Sequence, residues 1–271
     1  EALRNTGDAV ASVRPGIDVM IEREAVGVIG LITPWNFPIA IPAWKLAPAL
    51  AYGNAVVMKP AELTPGCAWE LAKVLHEAGC PAGIFNLVMG PGSKVGARIV
   101  EHEDIAAVSF TGSVATGRQV AVDCAARGKK VQLEMGGKNP MVVVDDADLD
   151  VAVGACLNGA FFSTGQRCTA SSRLIVTASI HDAFLDKLTA AAADLVIGDP
   201  LDSKTQIGPV VDQGQLDQNL EYLAIAATEG CDVRGGRLGN GNGYFMHPAI
   251  FAGASNQMRV SREEIFGPMA S

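Results

Sequence analysis

Between residues 25 and 135, short apolar runs alternate with longer stretches that open on a capping residue and close on glycine, and few folds accommodate that rhythm. Runs at 25–33, 55–59, 84–89, 107–111 and 129–134 have strand length, and most are too uniformly apolar for half-exposed strands. They read as strands covered on both faces. A helical stretch occupies about 42–52. Thr64 is expected to cap a second one, with Pro65 in its first turn and Gly79 at its end, and a third covers 114–127. Strand, helix and strand in repetition predict a doubly wound parallel sheet. Beyond it, a strand at 171–177, amphipathic helices at 180–196 and 213–229, and loops at 198–200 and 235–243 suggest a second α/β region. Residues 1–24 are polar and weakly patterned, with strand-like runs such as Val19-Met20-Ile21, and read as an arm or edge hairpin.

Composition narrows the classes of function. A chain of 271 residues that is 49% hydrophobic can bury a large core. A net charge of -8 argues against a nucleic-acid partner, whose footprint is basic. Cys67, Cys80, Cys124, Cys156, Cys168 and Cys231 form no CxxC pair and no zinc spacing with histidine, so they read as reduced thiols of a cytoplasmic protein. His76, His102, His181 and His247 are scattered without metal spacing; no metal site is expected. Residues 25–44 carry no charge over roughly the ~20 residues a bilayer span requires. Gly27, Gly30, Pro34, Pro38 and Pro42 nevertheless break any continuous helix there, so no membrane partner is expected. The chain opens on Glu1 without a signal peptide and reads as an internal portion of a longer one.

Several segments carry chemistry. Cys168 lies in a polar, glycine-containing stretch, Phe161 through Gly165-Gln166-Arg167-Cys168 to Arg173, between an expected helix and an apolar strand. A thiol there is both held and exposed, although most cysteines are small core residues. Pro34-Trp35-Asn36-Phe37-Pro38 follows the first strand at its carboxyl end, where open α/β sheets bind ligands. The Asn36 amide can donate to a developing oxyanion, an interaction whose removal typically costs ~3–4 kcal/mol, or it caps its own turn. Lys59-Pro60-Ala61-Glu62 follows the second strand and supplies a cation and a carboxylate suited to ribose hydroxyls, or two solvated surface charges.

Two glycine loops come next. Gly90-Pro91-Gly92-Ser93-Lys94-Val95-Gly96 resembles a GxGxxG fingerprint with one residue too many, or it is an ordinary turn. Phe110-Thr111-Gly112-Ser113, continuing to Thr116-Gly117, follows a strand and opens a helix, where free backbone N–H groups receive phosphate unless Ser113 merely caps. Glu134 ends a strand ahead of Gly136 and Gly137; it can activate water, worth ~10²–10⁴-fold in rate, or pair with Lys138. Arg167 and Arg173 flank Cys168 in sequence as forks for a substrate carboxylate or as members of a structural ion pair.

Taken together, Pro34-Trp35-Asn36-Phe37-Pro38, Lys59-Pro60-Ala61-Glu62, Phe110-Thr111-Gly112-Ser113, Glu134-Met135-Gly136-Gly137-Lys138, Gly165-Gln166-Arg167-Cys168 and Glu263-Glu264-Ile265-Phe266-Gly267-Pro268 resemble, in order, the signature segments of the aldehyde dehydrogenase superfamily. The resemblance spans essentially the whole chain. It implies an arm or oligomerisation hairpin at 1–24, a dinucleotide-binding domain at 25–135 and an incomplete, nucleophile-bearing catalytic domain at 136–271. By the same resemblance, Cys168 is the nucleophile, Glu134 the general base, and the Asn36 amide with the Cys168 backbone N–H the oxyanion hole. Ile32, Thr33, Pro34 and Trp35 would line the cofactor groove, with Lys59 and Glu62 at the adenosine ribose. Gly92, Gly96, Phe110, Gly112, Ser113, Thr116 and Gly117 would surround the pyrophosphate region, and Met135, Gly136, Glu264 and Phe266 the nicotinamide side. Met135 stands where leucine is commoner, a volume-conserving exchange.

In the run Phe161 to Val176 and in Trp44-Lys45-Leu46-Ala47-Pro48 the resemblance is closest to α-ketoglutaric semialdehyde (2,5-dioxopentanoate) dehydrogenases, with succinic semialdehyde or an aliphatic aldehyde as alternative substrates. It implies NAD as cofactor, since the Glu62 carboxylate favours a 2′-hydroxyl over a 2′-phosphate; NADP is left open. Full-length family members begin before Glu1, continue past Ser271 and assemble as homodimers or homotetramers. A noncatalytic nucleotide-binding or assembly fragment is therefore the alternative to an active enzyme.

Overall fold

The structure is a computed structural model that describes residues 2–4, 7–239 and 241–271. Backbone proximity divides the chain into two units, Glu1–Met135 and Gly136–Ser271. In the first, strands β1 (Asp8–Ala11) and β2 (Asp18–Ile21) pair antiparallel from Asp8 opposite Ile21 to Ala11 opposite Asp18. Both strands are exposed along their whole length, Val13 at their connection is 99% exposed, and Met20 is 71% exposed. A two-stranded hairpin with no covered face is at best marginally stable by itself.

The alternation at 25–135 becomes β3 (Val28–Ile32), α1 (Ala40–Ala51), β4 (Ala55–Lys59), α2 (Pro65–Glu77), β5 (Phe85–Leu87), α3 (Ala97–Glu101), β6 (Ile105–Gly112), α4 (Val114–Ala125) and β7 (Lys130–Met135). The five strands from β3 to β7 are parallel in the order β5-β4-β3-β6-β7. β3 is central because each of its faces meets an apolar cluster. Leu31 packs with Leu46, Val56, Met58 and Ala68, while Ile32 packs with Ile99, Val108, Phe110, Val120 and Cys124. That double burial explains its unbroken apolar run. The connections lead outward from β3 in both directions, so the topology switches between β3 and β6.

Two helix starts differ in chemistry. Ser113 caps α4 by accepting from the Thr116 N–H at 3.3 Å. Thr64 occupies the capping position of α2 without a capping bond, and its hydroxyl is buried without a partner; the expectation of a threonine cap fails. Pro65 alone starts that helix, since it carries no N–H to satisfy and its φ is already helical. The helix stops before Gly79, whose φ of 84° lies in the left-handed region. Residues 25–44 comprise β3, a turn and the start of α1, and among the described residues no helix is long and apolar enough to cross a membrane.

The second unit contains β8 (Pro140–Val143), α5 (Leu149–Cys156), β9 (Arg173–Val176), α6 (His181–Ala193), α7 (Gln213–Thr228), β10 (Asp232–Gly235), β11 (Ala249–Ala252), α8 (Arg259–Arg262) and β12 (Met269–Ala270). β8 and β9 are parallel, β10 and β11 antiparallel, and β11 and β12 parallel. Backbone bonds from Leu174 N–H to Ser271 O at 2.7 Å and from Ser271 N–H to Ser172 O at 3.1 Å continue the pairing from β9 to the end of β12. Phe161, Phe184, Leu188, Ile207 and Ile250 fill one cluster, and Tyr222, Met246, Phe251, Val260, Ile265 and Met269 another. Gly235, expected to open a loop, still belongs to β10. All six cysteines are free; burial pushes the Cys156 thiol up to about 12, as befits an inert core residue.

Candidate active site

Parallel register gathers one set of candidates at a single sheet edge. Ile32 stands opposite both Lys59 and Phe110, Thr111 opposite Glu134, and Gly112 opposite Met135. The Thr33 N–H donates to Lys59 O at 3.2 Å, extending the pairing beyond β3, and the buried Thr33 hydroxyl has no partner. Lys59 is 5% exposed and donates to Pro60 O at 2.8 Å, so it is not the solvated surface charge its sequence context allowed. Burial lowers its pKa, and the Glu62 carboxylate opposes that shift. Glu62 itself is exposed and accepts from the Gly92 N–H at 2.9 Å, tying the residue after β4 to the first glycine loop. That loop is a π-helical turn, Gly92–Gly96, running directly into α3, and Gly96 is buried in it.

The second glycine loop is shaped by side chains. A Cβ at Gly112 would fall 2.6 Å from the Phe110 ring, and one at Gly117 would fall 2.5 Å from Met135 Sδ. Pro34, Trp35 and Asn36 are half-buried between β3 and α1. The Ile41 N–H donates to Phe37 O at 3.2 Å and Ile39 holds the capping position of α1, so Asn36 lies in the turn ahead of that helix.

One residue at this edge has a role that its sequence context did not assign. Lys45 donates to Ser109 Oγ at 2.7 Å, Gln132 Oε1 at 3.0 Å and Phe110 O at 3.4 Å. Burial lowers its pKa to about 8, against the pull of Glu134 in the other direction. Gln132 Nε2 donates in turn to Glu134 Oε1 at 2.9 Å. The available signal was that Lys45 is the sole charged residue of α1, flanked by the buried Pro42, Leu46 and Ala49.

In the second unit, Cys168 is placed by irregular backbone. α5 passes into a π-helical turn, Leu157–Phe161, after which Ser163, Thr164 and Gly165 adopt φ values of 54°, 58° and 65°. Successive left-handed residues persist where the surroundings over-determine them. Here Thr164 Oγ1 donates to Gly208 O at 3.2 Å, and Gln166 Oε1 accepts from the Val211 N–H at 2.9 Å. A Cβ on Gly165 would fall 2.0 Å from Gly267 O. Cys168 is half-buried, and its carbonyl accepts from Asn139 Nδ2 at 2.6 Å. Arg167 reaches Asn158 Oδ1 at 3.5 Å and Arg173 donates to Asn256 Oδ1 at 2.6 Å, so amides rather than carboxylates receive them.

The paired glutamates of the last signature segment are physically distinct. Glu263 accepts from Tyr222 Oη at 2.7 Å and from Arg259 Nε at 3.0 Å, contacts that lower its pKa and anchor the segment. Glu264 is instead raised by burial, opposed by a backbone hydrogen bond from Gly137 and by the charge of Lys138. Burial lowers Lys138 to about 8, and both Lys138 Nζ and Glu264 Oε1 are buried without a hydrogen-bond partner. A Cβ on Gly136 would meet Glu264 Oε2 at 1.8 Å; only glycine leaves that carboxylate room. Phe266, beyond it, has a φ of 61°. Among the described residues no group of His, Cys, Asp and Glu is placed to hold a metal.

The model of the aldehyde dehydrogenase family matches residues 1–271. The chain belongs to the aldehyde dehydrogenase family. It is 47% identical to an alpha-ketoglutaric semialdehyde dehydrogenase of Bacillus subtilis over 99% of its length and 56% of that protein's. It is 44% identical to a 2,5-dioxopentanoate dehydrogenase of Saccharolobus solfataricus over 100% of its length and 57% of that protein's. A crystal structure of betaine aldehyde dehydrogenase from Staphylococcus aureus in complex with NAD+ superposes with a TM-score of 0.95 at 36% identity, covering 99% of this chain and 55% of that one. The chain therefore spans about half the length of these family members.

Proposed function

We propose that the protein oxidises an aldehyde to its carboxylate with NAD, through a thiohemiacetal and a thioester on Cys168. What carries the reading is Cys168 itself: a half-exposed thiol on a strained, clamped loop, in a family chain that keeps Asn36 and Glu134. The fit of a dinucleotide rests on the switch point between β3 and β6, the buried Lys59 amine, the exposed Glu62 carboxylate held at Gly92, and the start of α4 behind Gly112 and Ser113. Ile32, Thr33, Pro34, Trp35, Phe110, Thr116 and Gly117 complete that surface, with Gly96 behind it. Glu264, given room by Gly136, would hold the nicotinamide side together with Met135 and Phe266. NAD, when bound, supplies the acceptor for the hydride of the thiohemiacetal.

The chain's own groups do the rest. The Cys168 thiolate attacks the aldehyde carbon, and the Asn36 amide donates to the oxyanion that develops. Glu134 takes a proton from water, whose oxygen attacks the thioester and releases the carboxylate and the thiol. The domain roles follow: nucleotide binding in 25–135, the nucleophile in 136–271, and assembly of a homo-oligomer through the exposed hairpin of 1–24. α-Ketoglutaric semialdehyde is the proposed substrate, supported by the names of the two semialdehyde dehydrogenases above.

NADH formation with α-ketoglutaric semialdehyde, succinic semialdehyde and betaine aldehyde, each with NAD and NADP, tests the reading. Turnover should be highest with α-ketoglutaric semialdehyde and NAD, and Cys168→Ala should lower it by about 10⁴-fold or more without changing the thermal unfolding midpoint. Folded protein that binds NAD but forms no NADH would make this chain a noncatalytic member of its family.

A further inference from the structure

We propose that Gln132 is a positioning residue whose side-chain amide bridges the Lys45 ammonium to the Glu134 carboxylate and so fixes that carboxylate for water activation. The inference rests on the reading of Glu134 as the base. All the groups belong to Glu1–Met135, with Lys45 on α1, Ser109 on β6, and Gln132 and Glu134 two residues apart on one face of β7. An ammonium only donates, so it requires the carbonyl oxygen of the amide, which lies 3.0 Å away. Ser109 Oγ donates to the same oxygen at 2.5 Å. The amide nitrogen is thereby turned the other way, where it donates to Glu134 Oε1 at 2.9 Å.

Each partner explains another. Two donors on Oε1 draw electron density from the amide and make its N–H a better donor to the carboxylate. Ser109 and the Phe110 carbonyl hold Lys45 in place, so the amide is anchored from behind. A glutamine on an exposed edge strand that merely faced water would have no reason to be ordered by three hydrogen bonds. The structural consequence is that Glu134 is held at one oxygen, leaving the other for a water molecule. Lys45, whose amine titrates at about 8 under burial and the opposing charge of Glu134, reports on the bridge.

The test has two arms. In the first, the pH dependence of Lys45 acetylation by acetic anhydride is read by peptide mass spectrometry, which needs no turnover. Gln132→Leu should lower the Lys45 midpoint by about one pH unit, because the ammonium loses its acceptor, and Gln132→Glu should raise it. In the second arm, NADH formation with α-ketoglutaric semialdehyde is followed through the first turnover and the steady state. Both variants should leave the first turnover unchanged and slow thioester hydrolysis roughly 10–10²-fold, producing a burst that hydroxylamine, a nucleophile needing no base, relieves. An unchanged Lys45 midpoint in Gln132→Leu overturns the bridge. Normal hydrolysis in both Gln132 variants, with Glu134→Gln still blocking it, overturns the positioning role alone. Normal hydrolysis in Glu134→Gln overturns the base reading itself and this inference with it.

Discussion

The two units place their candidate groups by opposite means. In Glu1–Met135, Ile32, Lys59, Phe110, Gly112 and Glu134 come together because they end neighbouring parallel strands in register. Regular hydrogen bonding does the positioning, and flexible side chains such as Met135 and Gln132 complete it. In Gly136–Ser271, Cys168 is held by three left-handed residues, a glycine against a carbonyl, and amides reaching in from residues far along the chain. The first arrangement should absorb small changes through side-chain movement. The second has least slack at Gly165, where backbone lies directly against the backbone of Gly267 and Ala160.

A pair of glycine substitutions breaks that comparison most directly. Gly165→Ala adds a Cβ 2.0 Å from Gly267 O at a φ of 65°, where an L residue is strained and the neighbour is backbone. A loss of about 3 kcal/mol or more in chemical denaturation is expected, together with a fall in turnover of ~10²-fold. Gly117→Ala adds a Cβ 2.5 Å from Met135 Sδ, 2.9 Å from Met135 Cγ and 3.2 Å from the Phe110 ring, side-chain atoms rather than backbone, inside the helix α4. Displacing Met135 opposes a helix-propensity gain of about 1 kcal/mol, so the net change should stay within ~1 kcal/mol. Equal losses from the two would show that backbone placement does not distinguish the units.

Each unit also carries its own dependence on pH. Lys45 and Lys138 titrate at about 8 in the folded chain against an ordinary 10.5. Between those values the unfolded chain binds more protons, so stability from these groups rises with pH across that window, and their charged forms cost stability below it. Lys45→Met should flatten the rise belonging to the first unit and Lys138→Met that of the second, measured as urea midpoints below pH 8 and near 10. Each variant is compared with the parent because Cys156 and Tyr222, both raised to about 12, act in the opposite direction. A slope unchanged in both variants would mean that the two amines lie in more water than their burial indicates.

How much was legible varies with the kind of order involved. The parallel sheet was readable because β3 and β4 are buried on both faces and must be apolar throughout, a constraint written residue by residue. β8, β10, β11 and β12 were not, although β5 and β9, of similar length, were; two to four residues display at most two periods, too few to fix a strand reliably. At the candidate site, Asn36, Glu134, Cys168 and Glu264 stood out by chemistry and motif. Lys45, Ser109, Gln132, Asn139 and Thr164 did not, because a side chain that acts through a partner 20 or more residues away leaves no local mark.

The family, the doubly wound sheet and the identity of the groups able to do chemistry are written along the chain, because local burial patterns and six ordered motifs are properties of neighbouring residues. Which of those groups are restrained, and by what, is a matter of the fold in three dimensions. It separated Glu263, tied to Tyr222 and Arg259, from Glu264, left beside Gly136, and it coupled Lys45 to Glu134 through an amide. The physical reason is that hydrogen bonding and burial act between groups close in space, and closeness in space is created by folding.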